Sequence, residues 1–126
     1  MTNKTPIAIA VVALTALGGC RLGPRLYQAH AMVSVDAAGR RAGQAEIDSE
    51  VSTVRSLAPT FVSADERWQV QSVPNTTLIR ISVTTPDPRA SADACNQIAA
   101  RYTTMTNGMI ERRIVEEAKA PARPIR

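Results

Sequence analysis

The chain offers few groups able to carry out a reaction: one histidine, two cysteines and one tryptophan. His30 sits between Ala29 and Ala31 with no nearby acid or cysteine pattern. A metal site usually needs three or four donors, so a surface or satisfied core histidine is expected and no metal. Cys95 falls in a helical stretch one position off its apolar stripe, and no histidine is placed to activate it, so it reads as structural rather than nucleophilic. Glu116-Glu117 and Asp65-Glu66 are adjacent carboxylates. In a strand such neighbours point to opposite faces and cannot share a substrate, which makes them solvated charges. Trp68 could mark a partner site, but packing over a sheet edge is the preferred reading. There is no glycine-rich phosphate loop. The expectation is a protein that is not an enzyme, with no catalytic residue, no metal and no cofactor.

The remaining reactive group is the Cys20 thiol. Before it stand Lys4, an apolar run of eleven residues from Ile7 to Leu17, and Gly18-Gly19, the layout of a secretory signal peptide. A membrane span takes roughly 20 apolar residues, and Arg21 and Arg25 follow almost at once. Leu17-Gly-Gly-Cys20 resembles the bacterial lipobox, in which a branched apolar residue, two small residues and a cysteine are presented to a lipoprotein signal peptidase. Residues 1–19 are thus expected to be removed and Cys20 acylated. The alternative is an ordinary signal peptide cut nearby, with Cys20 paired to Cys95. The lipobox argues against it, because an acylated sulfur cannot pair. Each buried lipid methylene contributes about 0.8 kcal/mol, so several acyl chains hold a protein on a membrane essentially permanently. The expected location is the bacterial cell membrane, facing the periplasm or the exterior.

Removing 19 residues from 126 leaves enough chain for one modest domain. With aromatics at 3%, its core must be built from Val, Ile, Leu and Ala. The net charge of +4 is unevenly spread: between Leu26 and Ala118, nine basic residues face eleven acids. The excess lies at the ends, in Arg21 and Arg25 and in Lys119, Arg123 and Arg126. Beside a lipid anchor each such cation gains about 1 kcal/mol at best against anionic headgroups. No basic patch interleaved with aromatics is present, so nucleic acid is not an expected partner.

The elements that must position these groups follow from periodicity. Tyr27, Ala29, Ala31, Val33 and Val35 alternate from Leu26 to Val35, predicting a first strand broken by Asp36-Ala-Ala-Gly39. From Arg41, Ile47, Val51, Val54 and Ala58 recur at helical spacing, with Asp48, Ser49, Glu50, Ser52 and Arg55 elsewhere around the turn, predicting a helix that ends before Pro59. Thr60 to Arg67 is open between a further helical turn and a loop. Strands are predicted at Trp68–Val73 and Thr77–Thr85, joined by a turn at Pro74-Asn75, with Ile79, Ile81 and Val83 inward and Arg80, Ser82 and Thr84 outward. Asp87-Pro88 predicts a helix start. The stripe Ala90, Ala94, Ile98, Tyr102 and Met105 carries that helix to a stop at Asn107-Gly108. A partly exposed last strand is expected within Met109–Ala118, then an extended, mobile tail containing Pro121 and Pro124. The fold class is α+β, a single domain ordered strand, helix, strand, strand, helix, strand. That is the ferredoxin-like split βαβ arrangement, an antiparallel or mixed sheet with two helices on one face. The organisation is then signal peptide 1–19, anchored linker 20–25, domain 26–118 and Pro/Arg-rich tail 119–126.

Residues from Leu78 to Ile125 carry a further pattern. Leu-Ile-Arg-Ile-Ser-Val-Thr-Thr-Pro-Asp87-Pro88, then Ala92, Ala94, Asn96, Ile98, Ala99 and Tyr102, then Arg113-Ile-Val-Glu-Glu-Ala118 and Pro121-Ala-Arg-Pro124, resemble the Wzz chain-length determinant family of polysaccharide co-polymerases. Tyr27-Gln-Ala and Glu46-Ile-Asp-Ser-Glu-Val fit more weakly. The resemblance implies a membrane-proximal α+β domain that packs laterally as a homo-oligomer, or with full-length co-polymerase or export proteins, in surface polysaccharide biosynthesis. It departs from the family in lacking the long helical excursion before Leu78 and in stopping at Arg126, where a second membrane helix would begin. A different class of function is a solitary envelope lipoprotein that binds a small ligand or envelope partner through Trp68 and the open sheet face.

Overall fold

The computed structural model describes residues 25–64, 66–105 and 108–125. In chain order the elements are β1 (Tyr27–Ala37), β2 (Arg40–Arg41), α1 (Gln44–Phe61), β3 (Arg67–Ser72), β4 (Leu78–Thr85), α2 (Pro88–Thr104) and β5 (Ile110–Glu116). The sheet is antiparallel throughout, in the order β3-β4-β1-β5, and β2 pairs with the end of β1. Strands β1 and β3 therefore run parallel with β4 inserted between them, and α1 makes the crossover. Helix α2 does the same for β4 and β5 around β1. The fold is the α+β split βαβ arrangement expected.

Alternation decides which face the helices cover. Ala29, Ala31, Val33 and Val35 of β1 and Ile79, Ile81 and Val83 of β4 are almost fully buried. They form one core with Ile47, Val51, Val54 and Ala58 of α1 and Ala94, Cys95, Ile98 and Ala99 of α2. Alanines at 29 and 31 let α2 approach closely enough for the Cys95 thiol to donate to the Ala29 carbonyl at 3.2 Å. The other face carries Gln28, His30, Arg80, Ser82, Thr84 and Gln69, alternating with the core residues.

Several boundaries differ from the expected ones. Strand β1 continues through Asp36 and Ala37 and turns at Ala38-Gly39, where Gly39 takes φ +76°. Helix α1 runs past Pro59 to Phe61. So near its end the proline removes one ladder bond, while the Val62 N–H still donates to the Ala58 carbonyl and Phe61 and Val62 pack on the core. Glu50, expected on the polar side of α1, is buried. The tail is tied down: the Ile125 N–H donates to the Leu26 carbonyl at 2.7 Å.

Candidate functional site

The site with the most converging features is the end of the sheet where β1 begins. Thr85 and Ser91 knit it together: the Thr85 N–H donates to Ser91 Oγ, and Ser91 Oγ donates to the Tyr27 carbonyl at 2.8 Å. Asp87 and Pro88 start α2 as expected, with Asp87 Oδ1 accepting from the Arg89 N–H at 3.0 Å. Asn96 projects from α2 to hold the chain leaving β5. Its amide donates to the Ala118 carbonyl at 3.0 Å and its oxygen accepts the Ala118 N–H at 2.7 Å, imitating a strand partner. The tail then passes through half-buried Pro121 and Pro124 to the bond between Ile125 and Leu26.

That path brings three of the predicted cations to one end. Arg25 directly precedes Leu26, Arg123 lies two residues before Ile125, and Lys119 borders a hollow of about 220 Å³ with Gln28, His30, Glu116 and Glu117. All three cations are exposed. Cys20, Arg21 and Arg126 lie outside the described residues. In the sequence Cys20 stands seven residues before Tyr27, the first residue of β1. Among the described residues no helix is long and apolar enough to cross a membrane.

The uncovered sheet face bears a polar groove of about 400 Å³ lined by Gln28, Arg67, Gln69, Ser82, Thr84 and Ile125. Gln28 donates to Thr84 Oγ1 at 3.4 Å, and His30 Nδ1 lies 3.3 Å from Ser82 Oγ. These bonds leave Ser82 and Thr84 buried beneath longer side chains, although they lie on the outward face. Trp68 borders the groove, yet its register opposite Val83 puts it on the helix side, half-buried against the core. Trp68 and the open-face residues are thus on opposite sides of the sheet. Among the described residues no three His, Cys, Asp or Glu groups gather where they could hold a metal. Cys95 is fully buried, and burial pushes its thiol up to about 12. Glu66 and the pair Glu116-Glu117 are partly or fully exposed, and Asp65 lies outside the described residues.

One polar cluster escapes notice in the sequence. Glu50 of α1, Tyr102 of α2 and Arg112 of β5 meet under the two helices. The Tyr102 hydroxyl donates to Glu50 Oε1 at 2.5 Å, Arg112 Nε donates to the same oxygen at 2.7 Å, and Arg112 Nη1 donates to the Met105 carbonyl. The guanidinium carbon lies 4.8 Å from the centre of the Tyr102 ring. Arg112 and Glu50 side chains are 6% and 8% exposed, so this is a buried ion pair. Burial and the Glu50 bond raise the Tyr102 phenol well above its usual range. The signal was present: Glu50 sits three residues after Ile47 and four before Val54, within the buried stripe, and Arg112 alternates with Ile110 and Ile114.

No family model matches the chain, and no curated protein matches it in sequence. Among solved structures it is similar to a C-terminal segment of the alpha subunit of aIF2 from Pyrococcus abyssi. Identity there is 14%, the TM-score 0.54, and the match covers 74% of this chain and 51% of that one. The intact alpha subunit of aIF2 from the same organism matches with 14% identity and TM-score 0.57 over 75% of this chain and 35% of that one. The match thus spans about half and about a third of those chains, and at this identity the likeness is one of fold alone.

Proposed function

We propose that this chain is a non-catalytic, lipid-anchored protein of surface polysaccharide biosynthesis or export that acts by self-assembly in the manner of the base domain of chain-length determinants. The supporting observation is the closure of the tail onto the start of β1, which gathers Arg25, Lys119 and Arg123 around the point where the Cys20 linker enters the domain. A lipid on Cys20 would hold those cations near headgroups, where each adds about 1 kcal/mol at best. The burial of Cys95 favours lipidation over the alternative disulfide, because its sulfur would have to leave the core to reach Cys20. A gel of extracted surface polysaccharide tests the reading, comparing a strain that lacks the protein with strains restored by wild type or Cys20→Ser. A changed length distribution rescued by wild type alone is the expected result; an unchanged profile in the deletion strain overturns it.

The groove on the open face favours a second reading, a solitary envelope lipoprotein that binds a small polar ligand. Gln28, Gln69, Ser82, Thr84 and Arg67 offer amide, hydroxyl and guanidinium groups along one strip. Trp68 borders that strip from β3, with its side chain on the helix side of the sheet. An unchanged polysaccharide profile would leave this as the better account.

A further inference from the structure

The two edges of the sheet are finished differently. The Val73 N–H donates to the Leu78 carbonyl, and bonds alternate along an antiparallel ladder, so the Val70 carbonyl faces away from β4. Arg55 of α1 bends over that edge and donates to it through Nε at 3.2 Å and Nη2 at 3.0 Å. A guarded edge resists pairing with another strand. At the other edge, the Ala38 N–H donates to the Met109 carbonyl, and the same alternation turns the N–H and C=O groups of Ile110, Arg112 and Ile114 outward. Among the described residues no side chain bonds to these groups.

The sequence of this open edge is self-complementary. Laid antiparallel against a second copy about Arg112, Ile110 faces Ile114 and Glu111 faces Arg113, each pair occurring twice. Within one protomer Glu111 stands opposite Asp36, and like charges directly opposite destabilise a sheet. Neither Glu111 nor Arg113 belongs to an ion pair among the described residues. Met109 and Val115 are 70% and 52% exposed, although both are large apolar side chains. Arg112, which would lie on the dyad, keeps its charge inside its own protomer against Glu50, so two guanidinium groups do not collide.

We propose that β5 is a self-recognition edge on which two copies of this chain pair antiparallel about Arg112, joining their sheets into one. The contact is isologous and closes at two copies. An extra residue at Val115, where β1 and β5 shift register, limits the regular stretch to Ile110–Ile114. Such an interface is smaller than the roughly 1,600 Å² of a standard one, so pairing depends on concentration. Its dyad is normal to the sheet, so two Cys20 anchors enter one membrane only with the sheet lying along it. A six-residue linker reaching about 20 Å permits that.

The inference rests on the self-assembly half of the proposed function alone. The test is sedimentation velocity on the full chain in mild detergent over a range of concentrations, with Glu111→Arg, Arg113→Glu and the double reversal. Wild type dimerises, each single reversal weakens the dimer by about tenfold or more, and the double reversal restores it. An equimolar mixture of the two single variants also dimerises, because every mixed pair is then of opposite charge; misfolded variants would not be rescued this way. Hydrogen exchange on wild type supplies an independent arm, with the Arg112 amide becoming protected as concentration rises. A wild type that stays monomeric, a dimer indifferent to both reversals, or an Arg112 amide whose exchange ignores dimerisation overturns the proposal. A charge-dependent dimer with an unchanged polysaccharide profile upholds the edge and sinks the polysaccharide role.

Discussion

Replacing Arg112 with methionine isolates the energetics of the buried cluster, because the long apolar stem survives while the charge and its donors are lost. The Glu50 carboxylate, 8% exposed, would keep only the Tyr102 hydroxyl as a partner, and the Met105 carbonyl would lose its guanidinium donor. Breaking a buried ion pair from one side destabilises by about 3–5 kcal/mol, since an uncompensated charge remains. Domains of this size are stable by about 5–15 kcal/mol, so a fifth or more of the total is at stake. Removing both charges is milder: Glu50→Leu with Arg112→Met leaves no uncompensated charge, only the Tyr102 hydroxyl and the Met105 carbonyl without these partners, at about 1–3 kcal/mol for the buried hydroxyl.

Urea unfolding followed by circular dichroism measures both effects. With slopes of about 1–3 kcal/mol per molar for small proteins, Arg112→Met should lower the midpoint by about 2 M, and the double variant should recover at least half of that drop. The recovery is the decisive quantity, because independent contributions would add. An Arg112→Met midpoint close to wild type, or a double variant as unstable as the sum of its singles, would refute the claim that the cluster is a desolvated ion pair.

Two further outcomes follow from the same packing. Burial pushes the Cys95 thiol from 9.0 to about 12 and also raises Tyr102, so the folded chain holds protons that the unfolded chain releases. Stability is therefore complete below the unfolded pKa values and declines as pH rises toward the folded ones, by at most about 1.4 kcal/mol per pH unit for each group. Urea midpoints from about pH 8 to pH 11 should fall less steeply for Cys95→Ala than for wild type, and equal slopes would contradict this. Asn96→Ala leaves the Ala118 N–H and carbonyl without their side-chain partner, so the Ala118 amide should exchange at least tenfold faster, at a stability loss of about 1–2 kcal/mol. An unchanged exchange rate would show that the tail does not depend on this clamp.

How far the sequence could be read depended on whether a feature was local. Alternation through Ile79, Ile81 and Val83 and the Asp87-Pro88 start are local patterns, and both appear where expected. The hairpin to β2 is hidden in the sequence because Asp36 and Ala37 read as a break, whereas the turn itself needs only Ala38 and Gly39. Pro59 reads as a helix stop, yet a proline matters less when the last helical turn is held by packing at Phe61 and Val62. The ion pair joins residues 62 apart in the chain, and polarity at Glu50 and Arg112 outweighed their place in buried registers. The tail's attachment to Leu26 is a long-range backbone bond that composition does not encode.

The unequal edges connect this fold to the proposed mode of action. A ferredoxin-like sheet has two exposed edges, and each is a hazard unless it is blocked or used. Here Arg55 blocks β3, while β5 carries a self-complementary run of charged and apolar residues with its main-chain groups turned outward. A five-residue edge is too small to hold a dimer at low concentration in solution. Confinement to a membrane by the proposed Cys20 lipid would raise the effective concentration without adding any contact. On that reading the anchor and the edge depend on each other, and Cys20→Ser should abolish pairing at native expression levels while leaving it intact in concentrated purified protein.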